Sequence, residues 1–127
     1  MEKSSVNRCL PNFLLVKNPD IRIAESIYYS AKVAQGVSPN TLRIIKRVMN
    51  DLCQWFEDHG GSQISEISVL VIQAYLQEKS ETFAPNTLHI YFRNLRTFSF
   101  YFEELTEGQI KSPFHNKALR APKIPKE

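Results

Sequence analysis

The sequence predicts an all-α protein, a single bundle of four or five helices. Apolar residues recur at intervals of three and four along most of the 127-residue chain, which is the spacing of one buried helix face. Only four glycines occur, and no stretch alternates strictly between apolar and polar residues as a half-exposed strand would. A chain of this length buries one hydrophobic core, so we expect one domain.

Composition disfavours several classes of protein without indicating a chemistry. Sixteen Lys and Arg against 13 Asp and Glu give a net charge of +3, which suits an acidic partner without requiring one. We expect no membrane span and no signal peptide, because no apolar run is long enough and the chain starts with polar residues. Cys9 and Cys53 match no metal or redox spacing, which favours a cytoplasmic protein. No cofactor, metal ion or small-molecule ligand is expected, since no nucleotide-binding or zinc-protease motif occurs.

The first predicted helix spans about residues 21–34 and follows an N-terminal arm, residues 1–20. Asp20 is a suitable N-cap because its carboxylate can accept a free backbone N–H of the first turn. Gly36 is a suitable terminator, since glycine adopts the left-handed conformation found after helices. The spacing predicts an inner face formed by Ile23, Ile27, Ala31 and Ala34.

The second predicted helix begins at Ser38 and Pro39, a hydroxyl N-cap followed by proline at the first helical position. Proline is tolerated there because its missing N–H would have had no partner in the helix. Gly60 and Gly61 are expected to end the helix. Its predicted buried stripe is Leu42, Ile45, Met49, Leu52 and Phe56.

A short third helix is predicted to begin at Ser68. Ile67 and Ile72 then occupy the two positions of a hydrophobic staple, which packs the residue before the cap against the first turn. The β-branched run 69–72 suits a strand on propensity alone. We prefer a helix because Tyr75 and Leu76 continue the three-to-four spacing.

The fourth predicted helix extends from near Pro85 to about Leu105, and Gly108 follows it, so the helical domain covers residues 21–108. Its predicted core stripe is Leu88, Phe92, Leu95, Phe98 and Phe102. Residues 109–127 are rich in proline and lysine, a composition typical of a basic, semi-extended linker. We expect this linker to lead toward a further domain.

The second and fourth predicted helices repeat each other at a fixed offset of 46 residues. The first copy contains Pro39, Asn40, Thr41, Leu42, Ile44, Arg47, Phe56 and Glu57. The second contains Pro85, Asn86, Thr87, Leu88, Ile90, Arg93, Phe102 and Glu103. Shared caps and core stripes explain most of these matches. Packing does not require the match of Arg47 with Arg93, however, because both lie off the core stripes.

Charge is distributed in the same unusual order along both helices, with basic residues first and acidic residues later. The helix dipole favours the reverse order, by about 0.3–1 kcal/mol for a charge near an end. A polyanionic partner would explain the order, since helix N-termini and nearby cations attract phosphate together. Ordinary solvated faces with local ion pairs remain an alternative.

Each helix places its basic residues on one stripe away from the apolar face. The stripe of the second helix is Arg43, Lys46, Arg47 and Asn50, and that of the fourth is His89, Arg93, Arg96 and Thr97. Arg, Asn and Thr bind phosphates and hydrogen-bond base edges in the major groove, which accommodates a helix. The stripes therefore predict a duplex DNA-binding surface.

The order of motifs along about residues 21–125 resembles the N-terminal core-binding (SAM-like) domain of phage integrases and other tyrosine recombinases. The second helix contributes the opening run 38–42, and the third contributes 64–68 with Ile72, Tyr75 and Leu76. The fourth contributes 85–88, 94–98, Tyr101 and Phe102, followed by 108–110, Pro113, Pro122 and Lys123.

The resemblance implies an orthogonal four-helix bundle that forms half of a clamp around duplex DNA, with its second and fourth helices at the major groove. It also implies that the first helix contacts neighbouring protomers in a recombination synapse. Its implied DNA contacts are Thr41, Arg43, Lys46, Arg47, Thr87, His89, Arg93 and Arg96.

The catalytic set of that family is not recognisable in this chain. The family uses an arginine, a lysine, a His-x-x-Arg motif and a tyrosine nucleophile, all in a C-terminal domain. His89 and Arg93 are four residues apart rather than three, and all five tyrosines fall in predicted bundle helices. We therefore expect this chain not to be an enzyme, and its parent protein to be a tyrosine recombinase acting in DNA integration.

Two alternatives remain open on the sequence. One is a helical protein-interaction or regulatory domain that never binds DNA and uses an apolar patch around Trp55 and Phe100. The other is a free-standing domain that occupies recombination sites and blocks the full enzyme. Cys53 is expected to be a buried thiol and His59 a helix C-terminal residue.

Overall fold

The computed structural model describes residues 19–122, in which four α-helices form a bundle without any strand. This confirms the all-α prediction. The helices are α1 (Ile21–Ala34), α2 (Pro39–Asp58), α3 (Val69–Ser80) and α4 (Pro85–Leu105), with short 3₁₀ helices at Ile64–Glu66 and Pro113–His115. Most of the N-terminal arm, including Cys9, and the last five residues lie outside the described part. None of these helices is long and apolar enough to cross a membrane.

Three helices begin at the predicted polar caps. Side-chain oxygens of Asp20, Ser38 and Ser68 accept backbone N–H groups two or three residues further along the chain. Such caps contribute about 1 kcal/mol each by satisfying an otherwise unpaired donor. Ala84 provides no side-chain cap for α4, which begins instead with Pro85 in the first turn. Local chemistry therefore determines where each helix starts.

The segment with strand-like composition is a helix, as predicted. Ser68 accepts the N–H of Val71, which closes the first turn of α3. Ile67 and Ile72 are 7% and 1% exposed, so both ends of the predicted staple lie in the core. Tyr75 is fully buried, and its hydroxyl donates to the Asp51 carboxylate of α2 at 2.5 Å. This bond fixes α3 against α2.

The core lies between α1, α2 and α4, and α3 covers one side of it. The predicted apolar stripes of α2 and α4 are buried except at their first positions, Leu42 and Leu88, which are half-buried. The stripes are also wider than predicted, because Val48, Cys53 and Tyr91 are buried beside them. Cys53 is thus the buried thiol that its position predicted.

The predicted inner face of α1 is partly wrong, since Ile23 is 53% exposed and Ala34 is exposed. The buried residues of this helix are instead Ile21, Ala24 and Tyr28. The Tyr28 ring packs edge-on against Phe98 and Tyr101 of α4, with centroid distances of 5.2 and 5.4 Å. This aromatic cluster turns α1 by about a quarter of a turn from the face that its aliphatic residues favour.

The segment after α4 also differs from the prediction of a linker beginning at residue 109. Ser112, Phe114 and Leu119 are buried at 4%, 8% and 9% exposure. The Phe114 ring packs edge-on against Phe92 at 5.3 Å. Residues 110–119 therefore belong to the packed domain, because their apolar side chains complete the core.

Gly61→Ala should destabilise the fold by overpacking. A methyl group at residue 61 would overlap the far end of the Phe56 ring, which is 3% exposed and packed in the core. We expect a loss of about 1–3 kcal/mol in the free energy of unfolding, measured by urea denaturation. If the overlap is the cause, the double variant with Gly61→Ala and Phe56→Leu should lose less stability than the sum of the two single variants. Strict additivity would contradict this explanation.

Candidate nucleic-acid interface

The predicted DNA contacts lie on the surface of the first halves of α2 and α4. Seven of them are exposed, and His89 is half-buried. The exposed ones are Thr41, Arg43, Lys46, Arg47, Thr87, Arg93 and Arg96. The basic surface, as we call Arg43, Lys46, Arg47, Arg93 and Arg96, is thus free of the core on both helices.

The two halves of this surface stand on helices that pack directly against each other, α2 and α4. Burial raises the pKa of the Tyr91 phenol and the Asp51 charge adds to this, whereas the positive charge of Arg47 acts in the opposite direction. The positive charge of Arg47 on α2 thus acts on a phenol of α4.

Within residues 19–122, no cation of the basic surface is neutralised by a carboxylate. Arg43 donates to the neutral Oδ1 of Asn40 at 2.7 Å. The Lys46 ammonium lies 5.2 Å from the ring centre of Tyr29. Such contacts leave the positive charges available to an external anion.

Two cations elsewhere on the bundle behave differently, because each is held by carboxylates. Arg22 forms ion pairs with Glu25 and Glu57, both at 3.2 Å. Lys79 of α3 forms an ion pair with Asp51 of α2 at 3.0 Å. These cations stabilise helix packing, so they are unsuited to binding a partner.

Three acidic residues in the second halves of α2 and α4 bind groups of other elements. Asp51 joins α2 to α3, and Glu57 joins α2 to α1. Glu103 of α4 accepts the N–H of Ser112 at 2.6 Å and contacts the His115 ring at 2.7 Å. Packing therefore explains these three acids in the later halves. It does not explain the bases of the first halves, which form no ion pair with the described residues.

The tyrosines pack in the bundle, as their positions predicted. Tyr28, Tyr75 and Tyr91 are buried, and Tyr29 and Tyr101 are partly buried against the core. Burial raises the pKa of Tyr28 to about 12. It raises that of Tyr75 further, with the help of the neighbouring Asp51 carboxylate. These phenols therefore stay protonated at neutral pH.

Trp55 and Phe100 do not form an exposed apolar patch, because both are partly buried against the core. The Trp55 Nε1 donates to Glu78 of α3 at 3.0 Å, and its ring stacks on His59 at the end of α2. The Phe100 ring packs edge-on against His115 and carries the Arg96 guanidinium on its face. Phe100 thus packs on the segment after α4.

The rings beneath Lys46 and Arg96 are the part of the surface that the sequence did not indicate. Phe100 follows Arg96 by four residues, so their helical spacing could have suggested the contact. Tyr29 belongs to a different helix from Lys46, and no local pattern relates the two. Asn50, predicted on the same stripe as Lys46, instead accepts a hydrogen bond from Arg22 at 3.0 Å.

The Cys53 thiol should be chemically inert in the folded protein. Burial raises the pKa of this thiol, and its Sγ donates to the backbone oxygen of Ile21 at 3.7 Å. In a Cys9→Ser variant, we expect no reaction with a thiol reagent at pH 8 until denaturant is added. Rapid modification of the native variant would contradict the burial of Cys53.

Docking of the segment after α4 should weaken in acid. The Ser112 N–H, and then His115, lower the pKa of the Glu103 carboxyl below its ordinary value of 4.5. The folded state therefore binds this proton less readily than the unfolded state, so the stabilisation is present above pH 4.5 and is lost as the pH falls through the lowered value. We expect the Ser112 amide resonance to titrate below pH 4.5 and to lose this titration in Glu103→Gln. A midpoint at or above 4.5 would contradict the contact.

Comparisons of the chain with protein-family models, with curated proteins and with solved structures find no match. The resemblance to recombinase core-binding domains therefore depends on the sequence motifs alone. No group of three metal-ligating side chains comes together among the residues that the structure describes.

Proposed function

We propose that this chain binds duplex DNA through the basic surface, as the N-terminal core-binding domain of a tyrosine recombinase. The observation that carries the proposal is that five exposed cations on two packed helices form no ion pair with any carboxylate within residues 19–122. Five cations of one sign on neighbouring helices attract a polyanion, which neutralises all of them together. The sequence motifs direct the proposal to recombination core sites.

The proposed binding mode follows from the chemistry of the side chains. The first halves of α2 and α4 face the major groove, where a helix fits between the phosphate backbones. Arginine presents a planar fork of donors that matches phosphate oxygens or a guanine edge, and lysine supplies a point charge. Thr41 and Thr87 lie in the first helical turns, where hydroxyls and free backbone N–H groups suit phosphate.

In this proposal strand exchange belongs to another domain of the parent recombinase, and the present chain positions that protein on its cytoplasmic DNA target. Neighbouring protomers of the synapse are the other proposed partners. The gene tests this part of the proposal. A reading frame that continues past Glu127 with the arginine, lysine, His-x-x-Arg and tyrosine set supports it, and a frame that stops there contradicts it.

DNA binding itself is tested by titrating a mixed-sequence duplex with the protein at several salt concentrations. Five phosphate contacts predict a slope of about −4.5 for log K against log salt, so affinity should fall roughly 500-fold between about 50 and 200 mM salt. Absence of detectable binding at the lower salt would contradict the proposal. A protein-interaction domain would then be the better account. Trp55 and Phe100 are partly buried against the core, however, so they offer such a domain no exposed apolar patch.

A further inference from the structure

Arg96 of the basic surface rests on a ring that contacts the segment after α4. Its guanidinium lies 5.3 Å from the centre of the Phe100 ring. The same ring packs edge-on against His115, at 4.9 Å and 88°. The Glu103 carboxylate holds His115 at 2.7 Å and also accepts the Ser112 N–H. A continuous set of contacts thus runs from residues 112–115 to the candidate DNA contact.

A guanidinium held over an aromatic ring keeps its binding capacity. Its N–H donors point outward in the plane of the group, so the ring beneath does not block them. The contact limits the rotamers of a long side chain that would otherwise lose this freedom on binding. A ring under Arg96 therefore prepares the cation for a phosphate or a base edge.

The Phe100 ring is itself fixed from the other side. His115 belongs to a short 3₁₀ helix, and Phe114 of the same helix is buried against Phe92. Because Phe114 and the Glu103 contacts hold this helix on α4, His115 cannot move away while the segment stays docked. The position of Phe100, and with it that of Arg96, depends on that docking.

We infer that Phe100 and His115 are positioning residues that hold Arg96 for DNA, so that docking of residues 112–115 increases DNA affinity. The inference rests on the proposed function. It adds that the docked segment after α4 regulates the DNA affinity of the basic surface.

The test is a double-mutant cycle of DNA affinity at about 0.1 M salt. Phe100→Leu removes the ring face and should lower affinity by about two- to fivefold, the size of an exposed cation–π contact. Phe100→Tyr retains the face and should preserve affinity. In an Arg96→Ala background, Phe100→Leu should have no further effect. His115→Ala should also lower affinity, with no further effect once Phe100 is leucine.

Tyr101→Leu is the matched control, because it removes a neighbouring half-buried ring of α4 that carries no cation. It should leave affinity unchanged even where it lowers the melting temperature. A loss with Phe100→Leu that persists in the Arg96→Ala background would overturn the inference, as would an unchanged affinity. If the unmodified protein binds duplex DNA but Arg96→Ala does not weaken it, this inference fails and the proposed function stands. If the unmodified protein does not bind, the proposed function itself fails.

Discussion

Replacing Arg43, Lys46, Arg47 and Arg93 together with alanine should lower the proposed affinity for duplex DNA on the order of 10³-fold at about 0.1 M salt. Each phosphate contact contributes about −0.9 to the slope of log K against log salt. Between about 1 M and 0.1 M salt, each contact therefore raises the affinity about eightfold. The four changes should therefore flatten the slope to about −0.9. Isothermal titration or fluorescence anisotropy at several salt concentrations measures both quantities.

The melting temperature should fall only slightly in this variant, because the four side chains make no ion pair among residues 19–122 and alanine suits a helix. The contact of Lys46 with the Tyr29 ring is worth about 0.5–1 kcal/mol. Two single substitutions that each remove one positive charge provide a matched comparison. Arg93→Ala should weaken binding about eightfold, whereas Lys32→Ala, which removes a cation near the end of α1, should not. If the four changes leave binding untouched, the assignment of the basic surface is wrong.

Replacing Phe98 with alanine lowers the free energy of unfolding by about 3–5 kcal/mol, the largest stability effect that we expect. The ring is 1% exposed and packs edge-on against Tyr28 and Phe102, so its removal leaves a cavity where α1 meets α4. A total stability of about 5–15 kcal/mol is usual for a domain, so this variant is close to unfolding. The melting temperature should fall by about 12 °C or more.

Ile90→Ala is the control for that prediction. Ile90 lies on the same helix at 39% exposure, so its truncation should cost less than about 1 kcal/mol. Calorimetry measures both variants. An equal loss at the two positions would show that α4 does not pack through Phe98 as described.

Helix boundaries could be predicted from the sequence because they depend on neighbouring residues. Ser38 and Pro39 contain all the chemistry that begins α2, and Gly60 supplies the positive φ of +87° that follows it. The third helix was harder, since its β-branched run also suits a strand. Tyr75 and Leu76 favoured the helix because they continue the three-to-four spacing beyond that run.

The orientation of α1 could not be predicted from the sequence. Its aliphatic and aromatic residues favour different faces, and only the rings on α4 select Tyr28 over Ile23. The docking of Phe114 depends likewise on its distant partner Phe92. Periodicity describes one helix at a time, whereas these choices depend on surfaces that come together only in the fold.

The residues of the basic surface were predicted from the sequence. Their lack of ion pairs within residues 19–122 was not. The sequence shows one positive charge at Arg22 and one at Arg43. Only the fold shows that Glu57 binds Arg22, whereas Arg43 forms no ion pair within residues 19–122. The aromatic supports of Lys46 and Arg96 became visible for the same reason.

Mapping the DNA-binding surface by NMR is the most direct test of the central claim. Amide resonances of uniformly labelled protein are followed while a mixed-sequence duplex of about 20 base pairs is added at low salt. The account predicts that the perturbed amides cluster in the first halves of α2 and α4, within residues 39–50 and 85–97. Perturbations confined to α3 or to the outer face of α1, or none at all, would contradict it.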